Sequence, residues 1–214
     1  MAGGKATRLN LPQEKPLLEF DGKPLIEIIV NALKNAGIKR IIVAVTHHTP
    51  KTAKHSQKLS VEVLQTHGEG YIEDTQYAIK KLRLGTVIVV SADLPFLDSE
   101  SVREIVEHFE SCGKPALATV APRKVCDKLN LKVDAEFEFR GEKVVPVGVN
   151  IVTGARVNEP ELEQEVLIIN KPQLAVNVNN PHNLEVARRL FVQEEQFTDQ
   201  KQKATFAKLI MRKK

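Results

Sequence analysis

Cysteine is scarce in this 214-residue sequence: Cys112 and Cys126 are the only two, and they form no CxxC pair. A disulfide framework is therefore not expected, and two buried or spare thiols suit a reducing, cytoplasmic setting. Long apolar runs are missing as well. No stretch approaches the roughly 18 apolar residues a membrane span needs, and the early residues lack the order of a signal peptide. Internal repeats, low-complexity blocks and Gly/Ser/Pro-rich linkers are absent too. The expected organisation is one domain over 1–195 and a basic tail over 196–214.

What is present supports a folded core, with 42% apolar residues. The net charge of +4 misleads if read alone, because residues 201–214 hold six Lys or Arg and no acid. The rest carries 25 basic against 27 acidic residues, so no strongly basic face is indicated and nucleic acid is not an expected partner. Phe206, Leu209 and Ile210 among the tail lysines allow an amphipathic helix on anionic lipid or a dock for a partner subunit. A frayed basic terminus is the plainer reading.

Periodicity alternates along the first 120 residues. Helical stripes are predicted over 24–36, 71–82 and 101–111, and buried β-rich runs over 41–45, 61–65, 86–91 and 115–120. That alternation predicts an α/β, Rossmann-like, doubly wound fold with a mainly parallel sheet. The rhythm then changes. Residues 131–139 and 143–151 read as a small antiparallel insertion or edge feature, 166–169 and 175–178 as short strands, and 183–195 as a helix.

Ligands of open parallel sheets sit beyond the carboxyl ends of the strands, which directs attention to a few loops. Gly3 and Gly4 can turn backbone N–H groups toward an anion, with Lys5, Arg8 and Lys15 near to neutralise it. The loop is not a Walker loop, since no GK[ST] follows; a plain turn with solvated charges is the alternative. Asp93 falls just past the most apolar strand, where a carboxylate can take a Mg²⁺ that bridges phosphates. Asp98 and Ser99 already serve the next helix start as caps. Gly68 and Gly70 allow close approach to a flat ring, and Glu69, Glu73 or Asp74 can accept from a base edge. Asn150, Asn177 and Asn179 stand at strand ends, where turn and cap duty is the default. His47 and His48, if on a strand, would point to opposite sides, and the histidines show no zinc spacing. No GxSxG and no nucleophile with its base is evident.

Taken in order, "MAGGKATRL…EKPLLEFDGKPLIEIIVNAL", "SADLPFL", "VGVN" and "VNNPHNLEVARRL" resemble the nucleotidyltransferases of the molybdenum-cofactor guanylyltransferase type. "TPKT", "GYIED" and "PVGVNIV" are most similar to the archaeal adenosylcobinamide-phosphate guanylyltransferases within that group. The resemblance spans residues 1 to about 191. It implies a Mg²⁺-dependent guanylyltransferase that joins GMP from GTP to a corrinoid phosphate in cobalamin biosynthesis. Gly3, Gly4, Lys5, Arg8 and Lys15 would then bind the triphosphate, and Asp93 the metal. The turn after 45, with Thr46, and the 66–74 loop, with Gly68, Gly70 and Asp74, would surround the guanine. Gly148 and Asn150 would approach the ribose or the acceptor. Asn177 stands where many relatives have a second acidic metal ligand.

Two further departures matter. Relatives carry a short apolar strand before the glycine loop, and its lack implies that the natural start lies upstream or that the chain was shortened. A loop tethered only by its downstream helix would be mobile. Ala6 replaces the usual third glycine, and a positive φ there would cost alanine roughly 1–2 kcal/mol. Transfer to a sugar phosphate, phospholactate or molybdopterin, and nucleotide binding without turnover, remain open alternatives; a homodimer is compatible with all of them.

Overall fold

The computed structural model describes residues 1–5, 13–159, 161–193 and 196. Arg8 and Ala6 of the glycine loop, and Phe206, Leu209 and Ile210 of the tail, lie outside the described residues. Among the described residues no helix is long and apolar enough to cross a membrane.

Lys15–Leu17 makes a 3-10 turn, followed by a two-rung hairpin of β1 (Glu19–Phe20) and β2 (Lys23–Pro24). Asp21 and Gly22 turn that hairpin with positive φ at both positions, the backbone a two-residue connection favours. α1 (Leu25–Asn35) buries Leu25, Ile26, Ile29, Val30 and Leu33 along one stripe. β3 (Ile42–Val45), α2 (Pro50–Ser56), β4 (Glu62–Gln65), α3 (Tyr71–Leu82) and β5 (Thr86–Val90) follow in turn. α4 (Ser99–Cys112) starts on Asp98, whose carboxylate accepts the Ser101 N–H at 2.7 Å. β6 (Ala116–Pro122), α5 (Arg123–Lys128), β7 (Phe137–Phe139), β8 (Glu142–Thr153) and β9 (Gln164–Ile168) complete the strands, and α6 runs over 181–193. α1 and α4 pack side by side over the core, and Phe20 meets the rings of Phe96 and Phe191 edge-on at 5.3 Å.

The α/β, Rossmann-like class expected from the alternation is present, with three corrections inside it. β8 is antiparallel but is no edge feature: it runs twelve residues between β5 and β6. Its buried Val144, Val145, Val147, Val149 and Ile151 suit a strand covered on its faces. Residues 175–178 are not a strand; Pro172 opens a 3-10 turn that ends at Ala175. Of 131–139 only the last three residues pair, because 129–135 leaves α5 through a turn.

The sheet itself is split. Among the described residues β3 pairs only with β4, in parallel, while β5, β8, β6 and β9 form a separate ladder with β7 on its edge. Among the described residues, Met1 and Ala2 bridge β3 and β5. The Met1 amine donates to Val90 O (2.7 Å), Ala92 N–H to Met1 O (3.0 Å), and Ala2 N–H to Ala44 O (2.8 Å). The glycine loop is thus anchored at its start as well as downstream, contrary to the expectation of a single tether. Beyond Met1 the gap continues as a cavity of about 630 Å³.

Candidate active site

The glycine loop leaves Ala2 at the carboxyl ends of β3 and β5, where sheet geometry puts ligands. Thr46 sits beneath it, fully buried, with its hydroxyl donating to Gly3 O at 2.8 Å. A Cβ at Gly3 would come within 2.4 Å of the Thr46 methyl, and one at Gly68 within 3.3 Å of the same atom. Gly68 also has φ of +79°, so glycine there answers both shape and contact. Thr46 therefore braces two loops from below, and does not line the crevice above them.

Asp93 follows β5 and is 6% exposed. Its Oδ2 accepts from the Lys15 ammonium at 2.6 Å, and Lys15 also donates to Asn179 Oδ1 at 2.6 Å. Among the described residues, Asp93 Oδ1 and Asn177 Oδ1 are buried without a hydrogen-bond partner. Asn177 is turned the other way by its amide, which donates to Val147 O at 3.2 Å. A buried carboxylate oxygen left unpaired is costly unless a cation or water completes it. The donors gathered here are all oxygen, the preference of a hard divalent cation such as Mg²⁺. No cluster of three or more His, Cys, Asp or Glu suited to a metal exists among the described residues. A metal held here would therefore lean on Asp93, Asn179 and oxygens of its ligand.

The opposite wall is the start of α3. Asp74 accepts the Gly68 N–H at 2.9 Å, which fixes the 66–70 loop against the helix. Tyr71 accepts from the Asn150 amide at 3.0 Å, so Asn150 acts on the crevice through Tyr71. The Tyr71 phenol is pushed up to about 12, chiefly by loss of water around it; Asp93 adds to the rise and Asn150 works against it. It is a neutral donor at any physiological pH. Gly148 has φ of +94°, and a Cβ there would come within 2.9 Å of Ser91 Oγ, so it packs beneath Ser91. His47 and His48 stand in a turn after β3, not on a strand, and their rings come within 3.6 Å instead of pointing apart. Burial, His47 and Lys5 together hold the His48 imidazole below its usual range.

These elements enclose a crevice of about 340 Å³. Gly3, Gly4, Lys5, Lys15, Gly68, Gly70, Asp74 and Asp93 all line it, so the glycine loop and the aspartate face one space. Gly148, Asn150, Asn177 and Thr46 stand behind its walls. Sequence reasoning gave no site role to His48, Tyr71 and Ser91, which line it, and gave Asn179, which holds Lys15, turn or cap duty. For Asn179 no sequence signal decided the matter: only the geometry shows Asn180 capping α6, accepting from Asn183 N–H at 2.9 Å, while Asn179 turns to Lys15. The larger cavity between β3 and β5 is mostly aliphatic and holds no such set of donors.

A family model described as the MobA-like NTP transferase domain matches residues 1–208. The chain belongs to the MobA-like NTP transferases. The adenosylcobinamide-phosphate guanylyltransferase of Methanocaldococcus jannaschii is 31% identical over 195 residues, covering 89% of this MobA-like transferase and 94% of the relative. Two solved structures share the fold. A glucose-1-phosphate thymidylyltransferase of Bacillus anthracis, described as putative, superposes with a TM-score of 0.67 at 17% identity, over 88% of this chain and 92% of the other. The molybdopterin-guanine dinucleotide biosynthesis protein A of Archaeoglobus fulgidus gives 0.61 at 18% identity, over 90% and 96%. The family and the relative establish the coarse activity: this MobA-like NTP transferase is a nucleotidyltransferase.

Proposed function

We propose that the chain transfers GMP from GTP to a corrinoid phosphate, adenosylcobinamide phosphate, with release of pyrophosphate. The carrying observation is the single crevice in which Asp93 and Lys15 face Gly3, Gly4 and Lys5. The Methanocaldococcus jannaschii relative, whose name states that acceptor, supports the choice of substrates.

The chemistry asks little of the protein beyond placement. The acceptor is a phosphate monoester with a second pKa of about 6, so it is largely a dianion at neutral pH and needs no general base. Its oxygen attacks the α-phosphorus of GTP, a new P–O bond forms, and the bond from that phosphorus to the bridging oxygen of pyrophosphate breaks. Gly3 and Gly4 offer backbone N–H groups to the leaving phosphates, and Lys5 and Lys15 neutralise charge as it builds on them. Asp93 and Asn179 would hold a Mg²⁺, which when bound supplies charge neutralisation on phosphate oxygens. Gly68 and Gly70 give a flat base room beside α3, where Tyr71 lines the crevice with its hydroxyl accepting from the Asn150 amide.

The test is a matrix of GTP, ATP, CTP and UTP against the corrinoid phosphate, a sugar phosphate, phospholactate and molybdopterin, followed by pyrophosphate release. GTP with the corrinoid phosphate is expected to turn over fastest, and faster release with another acceptor would replace the acceptor assignment. Binding of GTP with no product from any acceptor would leave a nucleotide-binding protein without turnover. Asp93→Asn is expected to slow transfer by about 10²-fold or more with an unchanged circular dichroism spectrum. Near-normal turnover at saturating Mg²⁺ would remove Asp93 from the chemistry.

A further inference from the structure

Glu14 stands next to Lys15, and an acid beside a phosphate-binding lysine would by itself weaken the hold on an anion. We infer that it is there to place the lysine: Thr52, acting through Glu14, is a positioning residue for Lys15 in nucleotide binding. The inference rests on the crevice being a nucleotide site, and goes beyond it by tying that site to the segment after β3.

The Glu14 carboxylate is engaged elsewhere. One oxygen accepts Lys51 N–H at 2.8 Å, and the other accepts Thr52 N–H at 2.6 Å and the Thr52 hydroxyl at 2.7 Å. These charge-assisted bonds absorb much of the negative charge that would otherwise oppose a phosphate. Thr52 is fully buried, so its hydroxyl would be costly without that partner. No local residue does the work instead. Thr49, at the cap position of α2, makes no side-chain bond to the first turn; its hydroxyl accepts Thr46 N–H at 3.1 Å.

Lys15 has little freedom relative to Glu14. Pro16 follows it, buried and with its φ fixed by the ring. Leu17 N–H donates to Glu14 O at 2.9 Å, and Leu18 N–H to Lys15 O at 3.1 Å. Fixing Glu14 on α2 therefore fixes the root of the Lys15 side chain, whose ammonium meets Asp93 and Asn179 at 2.6 Å each. The same short segment holds the other side of the crevice. Thr46 donates to Gly3 O at 2.8 Å, and Thr49 N–H to Thr46 O at 3.0 Å. Residues 46–52 thus set the span between Gly3 and Lys15, two groups that line one crevice. A lysine held in place beforehand loses less freedom when the nucleotide arrives.

The test removes the Thr52 hydroxyl and follows Lys15. In the nucleotide-free protein the ¹⁵N signal of the Lys15 ammonium is expected to be protected from rapid proton exchange. Thr52→Val should abolish that protection and Thr52→Ser should restore it. Affinity is then measured by calorimetry with whichever of GTP, ATP, CTP and UTP the parent binds most tightly. Thr52→Val is expected to weaken it roughly tenfold, and Thr52→Ser by less than about twofold. In a Lys15→Met background Thr52→Val is expected to have no further effect, because the group it positions is gone. An equal loss in both backgrounds would overturn the inference, since Thr52 would then act on the fold and not on Lys15. So would a Lys15 signal left unchanged by Thr52→Val. If Thr52→Val does not fold, Glu14→Gln takes its place in the same cycle and is judged in the same way. The ammonium signal needs no nucleotide, so a preference for another base would sink the guanylyl assignment and leave this inference standing.

Discussion

Lys15 holds the place a metal would want. Its ammonium lies 2.6 Å from both Asp93 Oδ2 and Asn179 Oδ1, and the pair is mostly shielded, with side chains 18% and 8% exposed. A cation there neutralises a carboxylate that burial would otherwise penalise. Lys15→Ala is therefore expected to lower stability by roughly 2–3 kcal/mol in metal-free buffer, because Asp93 loses its counter-charge. Added Mg²⁺ should raise the melting temperature of this variant more than that of the parent. Equal shifts in a thermal melt would show that lysine and metal do not share the position. Asp93 was legible in the sequence because an apolar run two residues upstream announces a strand end. Asn179 was not, since an asparagine near a helix start reads first as a cap and only geometry shows Asn180 doing that work. Tyr71 was hidden for another reason: at a helix start its ring counts as one more amphipathic position, and its partner lies 79 residues away.

At the scale of elements, the long amphipathic helices and the β-rich runs were readable because each advertises a buried face through its own local periodicity. The short elements were not. α2 spans only seven residues, and its first N–H groups are satisfied from 37 and 38 residues away. The Glu14 carboxylate accepts Lys51 N–H at 2.8 Å, Thr52 N–H at 2.6 Å and the Thr52 hydroxyl at 2.7 Å. No local pattern encodes a cap of that kind. Glu14→Ala is expected to cost about 1–2 kcal/mol, with α2 amides exchanging faster, whereas Glu14→Gln should recover part of the loss through one retained oxygen. Urea melts with hydrogen exchange would check it. β8 was misplaced for a related reason: apolar alternation shows that a strand is buried, not which neighbours flank it.

For the whole molecule, pH reaches the sheet through its first residue. Burial lowers the Met1 amine to about 6, although Asp93 pulls the other way, against an ordinary value of 8.0. The unfolded chain therefore binds more protons between about pH 6 and 8, so stability should rise with pH across that window. The gain is at most about 3 kcal/mol. His48, also held below its usual range, acts in the same direction near the lower end. Acetylating the amine should flatten the Met1 part and leave the His48 part. Urea midpoints at pH 6 and pH 8, with and without acetylation, would measure both, and identical slopes would acquit the amine. The seam between the two half-sheets runs on into the floor of the crevice. Of the residues that line it, His48 follows β3 on one half and Asp93 follows β5 on the other. Any molecule gripped from both banks becomes a cross-brace, so tightness of hold and rigidity of the scaffold are here a single mechanical property.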